Sequence, residues 1–306
     1  MMLKNKINPQ TKSRRILSIM IIVLVLIAIP TYFWMRSSNK YLALQEKSRM
    51  SPVIMVPGSS ATKERFNQLI RLLNKDTNRK HSVLKMEVYN NGKISYNGTI
   101  ARNDNEPFII ISFENNKDGF SNIKKQAAML DSAFEELTDQ YYFNNFKAFG
   151  HSNGGLIWTY WLEHYYSKYN DDGIKIKSLM TLGTPYNFEE TSITQPTQMF
   201  IELQKDRNKI PQSLNVFSIA GTENYDSDGL VPEESVQAGK YIFQKRVAHY
   251  TAMTVTGDNA QHSDLPQNKQ IVKMIEEYLL DNRNPNQNPN GPGNKQGPDS
   301  SNNAGN

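Results

Sequence analysis

The chain has 306 residues, enough for one large domain with a substantial core, and a formal net charge of +5. Seven of its 35 basic residues lie within 1–40, a stretch with no acidic residue, so the remainder holds 28 basic residues against 30 acidic. That distribution excludes a phosphate-binding face and a nucleic-acid partner. The absence of cysteine excludes disulfides, a thiol nucleophile and thiolate metal sites.

In chain order, residues 1–15 form a basic segment ending Lys12-Ser13-Arg14-Arg15, and residues 16–35 follow without a single charge. At 1.5 Å per residue such a helix spans about 30 Å, the thickness of a bilayer core. Positive residues on its N-terminal side place that end in the cytoplasm and the bulk of the chain outside the cell membrane. Tyr32, Phe33 and Trp34 fall where an interfacial aromatic belt would lie. No A-x-A-like site follows the run, so the expectation is an uncleaved, single-pass signal-anchor rather than a cleaved signal peptide. Residues 36–50 are polar and read as a stalk. Residues 281–306, with nine Asn, four Pro and four Gly, read as a disordered tail. The folded part is therefore 51–280.

Within it, strand and helix patterns alternate. An apolar run at 52–56 predicts a buried strand, and 63–74 a helix. Two β-rich runs, 83–89 and 93–100, flank Asn90-Asn91-Gly92 and predict a hairpin. Residues 108–113 predict another strand. Ile123, Ala127, Leu130, Phe134, Leu137 and Tyr141 then recur at helical spacing and predict a one-faced helix over 121–140. Further strands are expected at 145–149, 174–182, 214–220 and 250–256, with helices at 154–169 and 269–280. Such alternation implies a mainly parallel sheet covered by helices on both faces. The 186–213 connection is too long to be plain, and Met199, Phe200 and Leu203 at helical spacing predict a small cap helix there. These three residues either line the entrance for an apolar acyl chain or pack the cap down.

Gly150-His151-Ser152-Asn153-Gly154 reads G-x-S-x-G between the predicted strand and helix at 145–169. There the glycines permit a sharp turn that presents a serine hydroxyl. The pattern alone arises by chance in about one in ten chains of this length, so its partners decide its meaning. In a parallel sheet, ligands bind beyond the carboxyl ends of the strands, which sorts the histidines. His151 adjoins the serine and projects elsewhere, His164 lies far down the helix, and His249 sits at the wrong end of the last strand. His81 reads as a surface residue. His262, just after the last strand, is the candidate general base. The carboxylate is expected after an intervening strand, where Asp228 is preferred for the tight turn that follows it and Asp226 is the alternative. Asp226-Ser227-Asp228-Gly229 is a poor calcium loop, because no Glu stands at the twelfth position. Oxyanion donors are expected from the amides of Asn153 and of Ser59, with Ser60 as alternative to Ser59, in the loop Pro57-Gly58-Ser59-Ser60. No cofactor is needed and no metal site is expected.

Serine, carboxylate and histidine in that order, each just after a strand, form the α/β-hydrolase arrangement. Residues 51–280 resemble that superfamily. They are most similar to the predicted membrane-bound, cell-surface hydrolases of Gram-positive bacteria grouped as domain of unknown function 915. The residues that carry the resemblance are GHSNGG at 150–155, LGTPY at 182–186, SDGLVP at 227–232, the hairpin around Asn91-Gly92, and His262-Ser263. The resemblance implies catalysis and an external location; Pro57-Gly58 departs from the His-Gly usual after the first strand. The expected activity is ester hydrolysis, on lipid-like or surface-polymer esters. The same motif also serves peptidases, amidases and acyltransferases, and a non-catalytic binding module could keep the fold.

Overall fold

The structure is a computed structural model, described for residues 9–75, 80–223 and 226–280. The tail expected at 281–306 and the first eight residues of the basic segment lie outside the described residues.

The first helix, α1 (Pro9–Glu46), is continuous through both the apolar run and the segment read as a stalk. It is long and apolar enough to cross a membrane, and its most apolar window is wholly unburied. Beyond it the chain builds β1 (Val53–Val56), α2 (Asn67–Leu73), β2 (Val83–Val88), β3 (Ile94–Thr99) and β4 (Phe108–Phe113). Next come α3 (Phe120–Gln140), β5 (Asn145–His151), α4 (Asn153–His164), α5 (Tyr166–Asp171) and β6 (Lys175–Leu182). The remainder is α6 (Gln198–Asp206), β7 (Asn215–Thr222), α7 (Glu233–Gln237), α8 (Lys240–Phe243), β8 (His249–Thr256) and α9 (Lys269–Tyr278).

The eight strands form one sheet in the order β3-β2-β4-β1-β5-β6-β7-β8, parallel throughout except for the β2–β3 hairpin. The central strands β1 and β4 are buried at every position. Helices cover both their faces, so their sequences read as unbroken apolar runs. Strand β2, toward the edge, alternates in burial, which is why its pattern also alternates. The predicted 154–169 helix is split at Tyr165. The break turns the Tyr166 ring inward, where its hydroxyl donates to the Ile174 carbonyl (3.0 Å) and accepts from the Ile176 amide (2.9 Å).

Helices α3 and α4 clamp one face through aromatic side chains. The Phe134 ring lies 4.8 Å from those of Phe146 and Trp161 and 4.6 Å from that of Tyr169. Each such buried ring contributes about 1.5–3 kcal/mol. The cap helix α6 is present as predicted, capped by Thr197, whose hydroxyl accepts from the Phe200 amide. Met199, Phe200 and Leu203 are each 1 % exposed and belong to the main core. They therefore pack the cap down.

His81 is buried, contrary to the expectation of a surface residue. Its Nδ1 donates to the Glu106 carbonyl (2.7 Å) below the amino ends of β2 and β4. No sequence period marks it, because its burial comes from an ordered loop and not from an element.

Candidate active site

The chain leaves β1 to build one half of the sheet and returns through β5 to build the other. The switch point lies between these neighbours, where a crevice opens beyond their carboxyl ends. Ser152 caps β5 there with φ 56° and ψ −131°, a conformation rarely adopted by a residue with a side chain. Tight packing makes the turn possible. A Cβ on Gly154 would stand 2.0 Å from the Val56 carbonyl oxygen, and one on Gly150 would stand 2.5 Å from the Gly155 amide. The two motif glycines thus allow helix and strand to touch through bare backbone.

The Ser152 amide donates to the Leu182 carbonyl (2.8 Å), and the Thr184 hydroxyl donates to the Ser152 carbonyl (3.0 Å). Its own hydroxyl makes no hydrogen bond among the described residues. Directly after it starts α4, whose first amide, on Asn153, has no intrahelical acceptor and whose dipole presents its positive end.

Asp228 and His262 are joined. His262 Nδ1 donates to Asp228 Oδ2 at 2.6 Å, and the His262 amide donates to the Asp228 carbonyl at 2.7 Å. Asp228 is 1 % exposed, and its other oxygen accepts from the amides of Leu230 (3.1 Å) and Val231 (2.7 Å). The tight turn after it thus holds the carboxylate, as its sequence implied. Asp226 is exposed and offers its backbone carbonyl to the Glu233 amide, so the structure does not bring it to His262.

Gly183, at φ 55°, lies against this pair: a Cβ there would come 3.0 Å from Asp228 Oδ2 and 3.2 Å from His262 Nδ1. The LGTPY run at 182–186 carries no local signal for what its residues do. In the structure Gly183 makes room for the pair and Thr184 holds the serine backbone.

On the β1 side, a Cβ on Gly58 would lie 2.5 Å from Ser152 Cβ and 3.0 Å from its Oγ, so the loop after β1 passes directly over the serine. The alternative donor Ser60 is excluded, since its amide already donates to the Asn116 carbonyl at 2.7 Å. The Ser59 amide has no backbone acceptor among the described residues. Asn153, buried, donates through Nδ2 to Ser59 Oγ (3.2 Å) and to Asp118 Oδ1 (2.7 Å), tying the elbow to the loops after β1 and β4.

His151 projects away from the Ser152 side chain and lies behind His262. Its Nε2 donates to the His262 carbonyl at 3.0 Å, with the rings 4.7 Å apart. Its pKa is pushed well below the ordinary value by burial first, then by His262 and Arg65, so it stays neutral and works as a prop. Arg65 supports the same loop from outside, donating to the Ser263 carbonyl (2.7 Å). Neither contact has a sequence signal, because the partners are far apart in the chain. No cluster of side chains able to hold a metal ion occurs among the described residues.

Residues 42–282 match the family model described as alpha/beta hydrolase of unknown function, domain of unknown function 915. The chain belongs to this family. It is similar to the crystal structure of a protein from Lactobacillus plantarum assigned as a cell surface hydrolase. The two are 59% identical with a TM-score of 0.70, over 76% of this chain and 92% of that one. A gene product of Listeria innocua, 24% identical, shares the fold with a TM-score of 0.69 over 76% of this chain and 94% of its own. No curated protein matches the chain. The α/β-hydrolase fold and the kinship to a cell surface hydrolase agree with the resemblance read from the motifs.

Proposed function

We propose that this hydrolase is a membrane-anchored serine esterase whose nucleophile is Ser152, with His262 as general base and Asp228 as its orienting acid. The observation that carries the reading is the buried 2.6 Å Asp228–His262 bond at the edge where a strained serine opens helix α4. With Nδ1–H held by Asp228, the imidazole is kept in the tautomer whose Nε2 can accept a proton.

Ser152 Oγ attacks the acyl carbon as its proton passes to His262 Nε2. The oxyanion forms against the Asn153 and Ser59 amides, supported by the positive end of α4. Collapse breaks the ester bond, and the departing alkoxide takes the proton from His262. A water then repeats the sequence, its proton going to His262 and its oxygen to the acyl carbon, which releases the acid and restores the serine. Asp228 stabilises the transient imidazolium without taking its proton. Anchoring is supported by α1 and by the likeness to a cell surface hydrolase.

The test is fluorophosphonate labelling of the full chain in detergent beside Ser152→Ala, followed by turnover of a panel of soluble acyl esters. Labelling and ester cleavage that both vanish in the alanine variant are expected. Labelling that persists in Ser152→Ala overturns the nucleophile, and labelling without cleavage of any ester overturns the substrate class.

A further inference from the structure

The anchor and the candidate site meet the sheet at opposite ends. The last turns of α1 are docked: Tyr41 Oη donates to the Thr138 carbonyl (2.9 Å), and its ring stands 5.4 Å from that of Tyr142. Gln45, 4 % exposed, donates through Nε2 to the Asp172 carbonyl (3.3 Å). Asn144 Nδ2 reaches back to the carbonyls of Gln45 and Glu46, both at 3.1 Å, and caps the helix end. Thr138 lies at the end of α3, Asn144 just before β5, and Asp172 just before β6. All of these contacts therefore fall at the amino ends of the strands.

Ser152, Asp228 and His262 follow the carboxyl ends of β5, β7 and β8. Seven residues of β5 separate the two edges by about 23 Å. Residues 36–40 of α1 add a helical rise of about 8 Å between the apolar run and Tyr41, the first docked side chain. The apolar part of α1 is exposed along its whole length, so it projects away from the edge on which the end of α1 docks.

We infer that α1 holds the catalytic edge away from the bilayer, so that the substrate is an acyl ester presented in water from the far side and not a lipid of the host leaflet. This rests on the esterase and anchor readings above. The helix acts as a spacer rather than a tether, because its end is fixed by four hydrogen bonds and a ring contact instead of a free hinge. A site so held cannot tip onto the surface in which its own anchor is embedded.

The chain has no cysteine, so single cysteines report position cleanly. The full chain is reconstituted in phosphatidylcholine vesicles carrying an acceptor dye on the headgroups. A donor dye is placed on Ser37→Cys, beside the apolar run, or on Leu230→Cys, exposed two residues beyond Asp228. Energy transfer from position 230 is expected to be at least about threefold weaker than from position 37. Equal transfer from both overturns the inference, as does a chain that fails to float with the vesicles. In parallel, the wild-type chain is given one acyl ester dissolved in water and the same acyl group on a lipid in the same vesicles. A preference of at least about tenfold in kcat/KM for the dissolved ester is expected, and faster cleavage of the embedded one overturns the inference. Distant position 230 with no turnover of either ester would instead overturn the esterase reading and leave the orientation standing.

Discussion

The two edges of the sheet use their buried charged groups differently. At the amino edge, Lys147 and Glu106 are buried and paired with each other, and Asp104 is spent on the amides of Ser82 and Glu106. At the carboxyl edge, Ser152 is held through its backbone, and among the described residues its hydroxyl makes no hydrogen bond and the Ser59 amide has no backbone acceptor. At the amino edge the buried charges are matched to one another, although Ser51 Oγ, His81 Nε2 and Asn145 Oδ1 there have no partner among the described residues; at the carboxyl edge a hydroxyl and an amide face the crevice. The contrast explains why strain is stored at Ser152, where chemistry is expected, and why a comparable ionic group on the opposite edge has a structural task.

The largest test of this contrast is Asp228→Asn. The variant keeps an oxygen for the Leu230 and Val231 amides but presents an amide to His262, so ester turnover should fall by about 10,000-fold while the unfolding midpoint barely moves. Asp226→Asn, in the same turn, should change kcat/KM by less than about twofold. The opposite edge should behave in reverse. Lys147→Ala strips Glu106 of its buried counter-ion and should cost about 3–5 kcal/mol in urea unfolding, with kcat per folded molecule unchanged.

A smaller effect sharpens the boundary of the site. Asn153→Ala cuts the ties to Ser59 and Asp118 but leaves the Asn153 amide in place. It should lower kcat by about 10- to 100-fold with little change in KM, because the loop bearing the proposed second oxyanion donor is loosened.

The smallest effect concerns Glu163, on α4 under the cap. It is 3 % exposed, neither carboxyl oxygen has a hydrogen-bond partner among the described residues, and its pKa is pushed up to about 10, by burial first and then by Asp206. In the unfolded chain it ionises near 4.5. Its contribution to stability is therefore fully present below that pH and is lost progressively as pH rises toward about 10. Glu163→Gln should remove this slope and raise stability at pH 8, with the gain vanishing near pH 4, as read by unfolding across pH.

Much of the fold was legible because each signal was local. Unbroken apolar runs marked β1 and β4, Asn91-Gly92 marked the hairpin, and the stripe from Ile123 to Leu137 marked α3. The short helices α7 and α8 were not legible, since five and four residues are too few to show a period. The break at Tyr165 was equally hidden, because it is fixed by a hydrogen bond that the Tyr166 hydroxyl accepts from the Ile176 amide in a later strand.

By itself the sequence determined the chemical inventory and its order: a serine in a glycine-framed turn, a carboxylate and a histidine, each just after a strand. It already preferred Asp228 to Asp226, but only the tertiary structure put Asp228 in contact with His262 and set aside the Ser60 amide by spending it on Asn116. It also buried His81, and it made His151 a prop for His262 across 111 positions of chain. Turns and helices are decided by neighbours within a few residues. Which distant side chains meet is decided by the order in which the strands assemble.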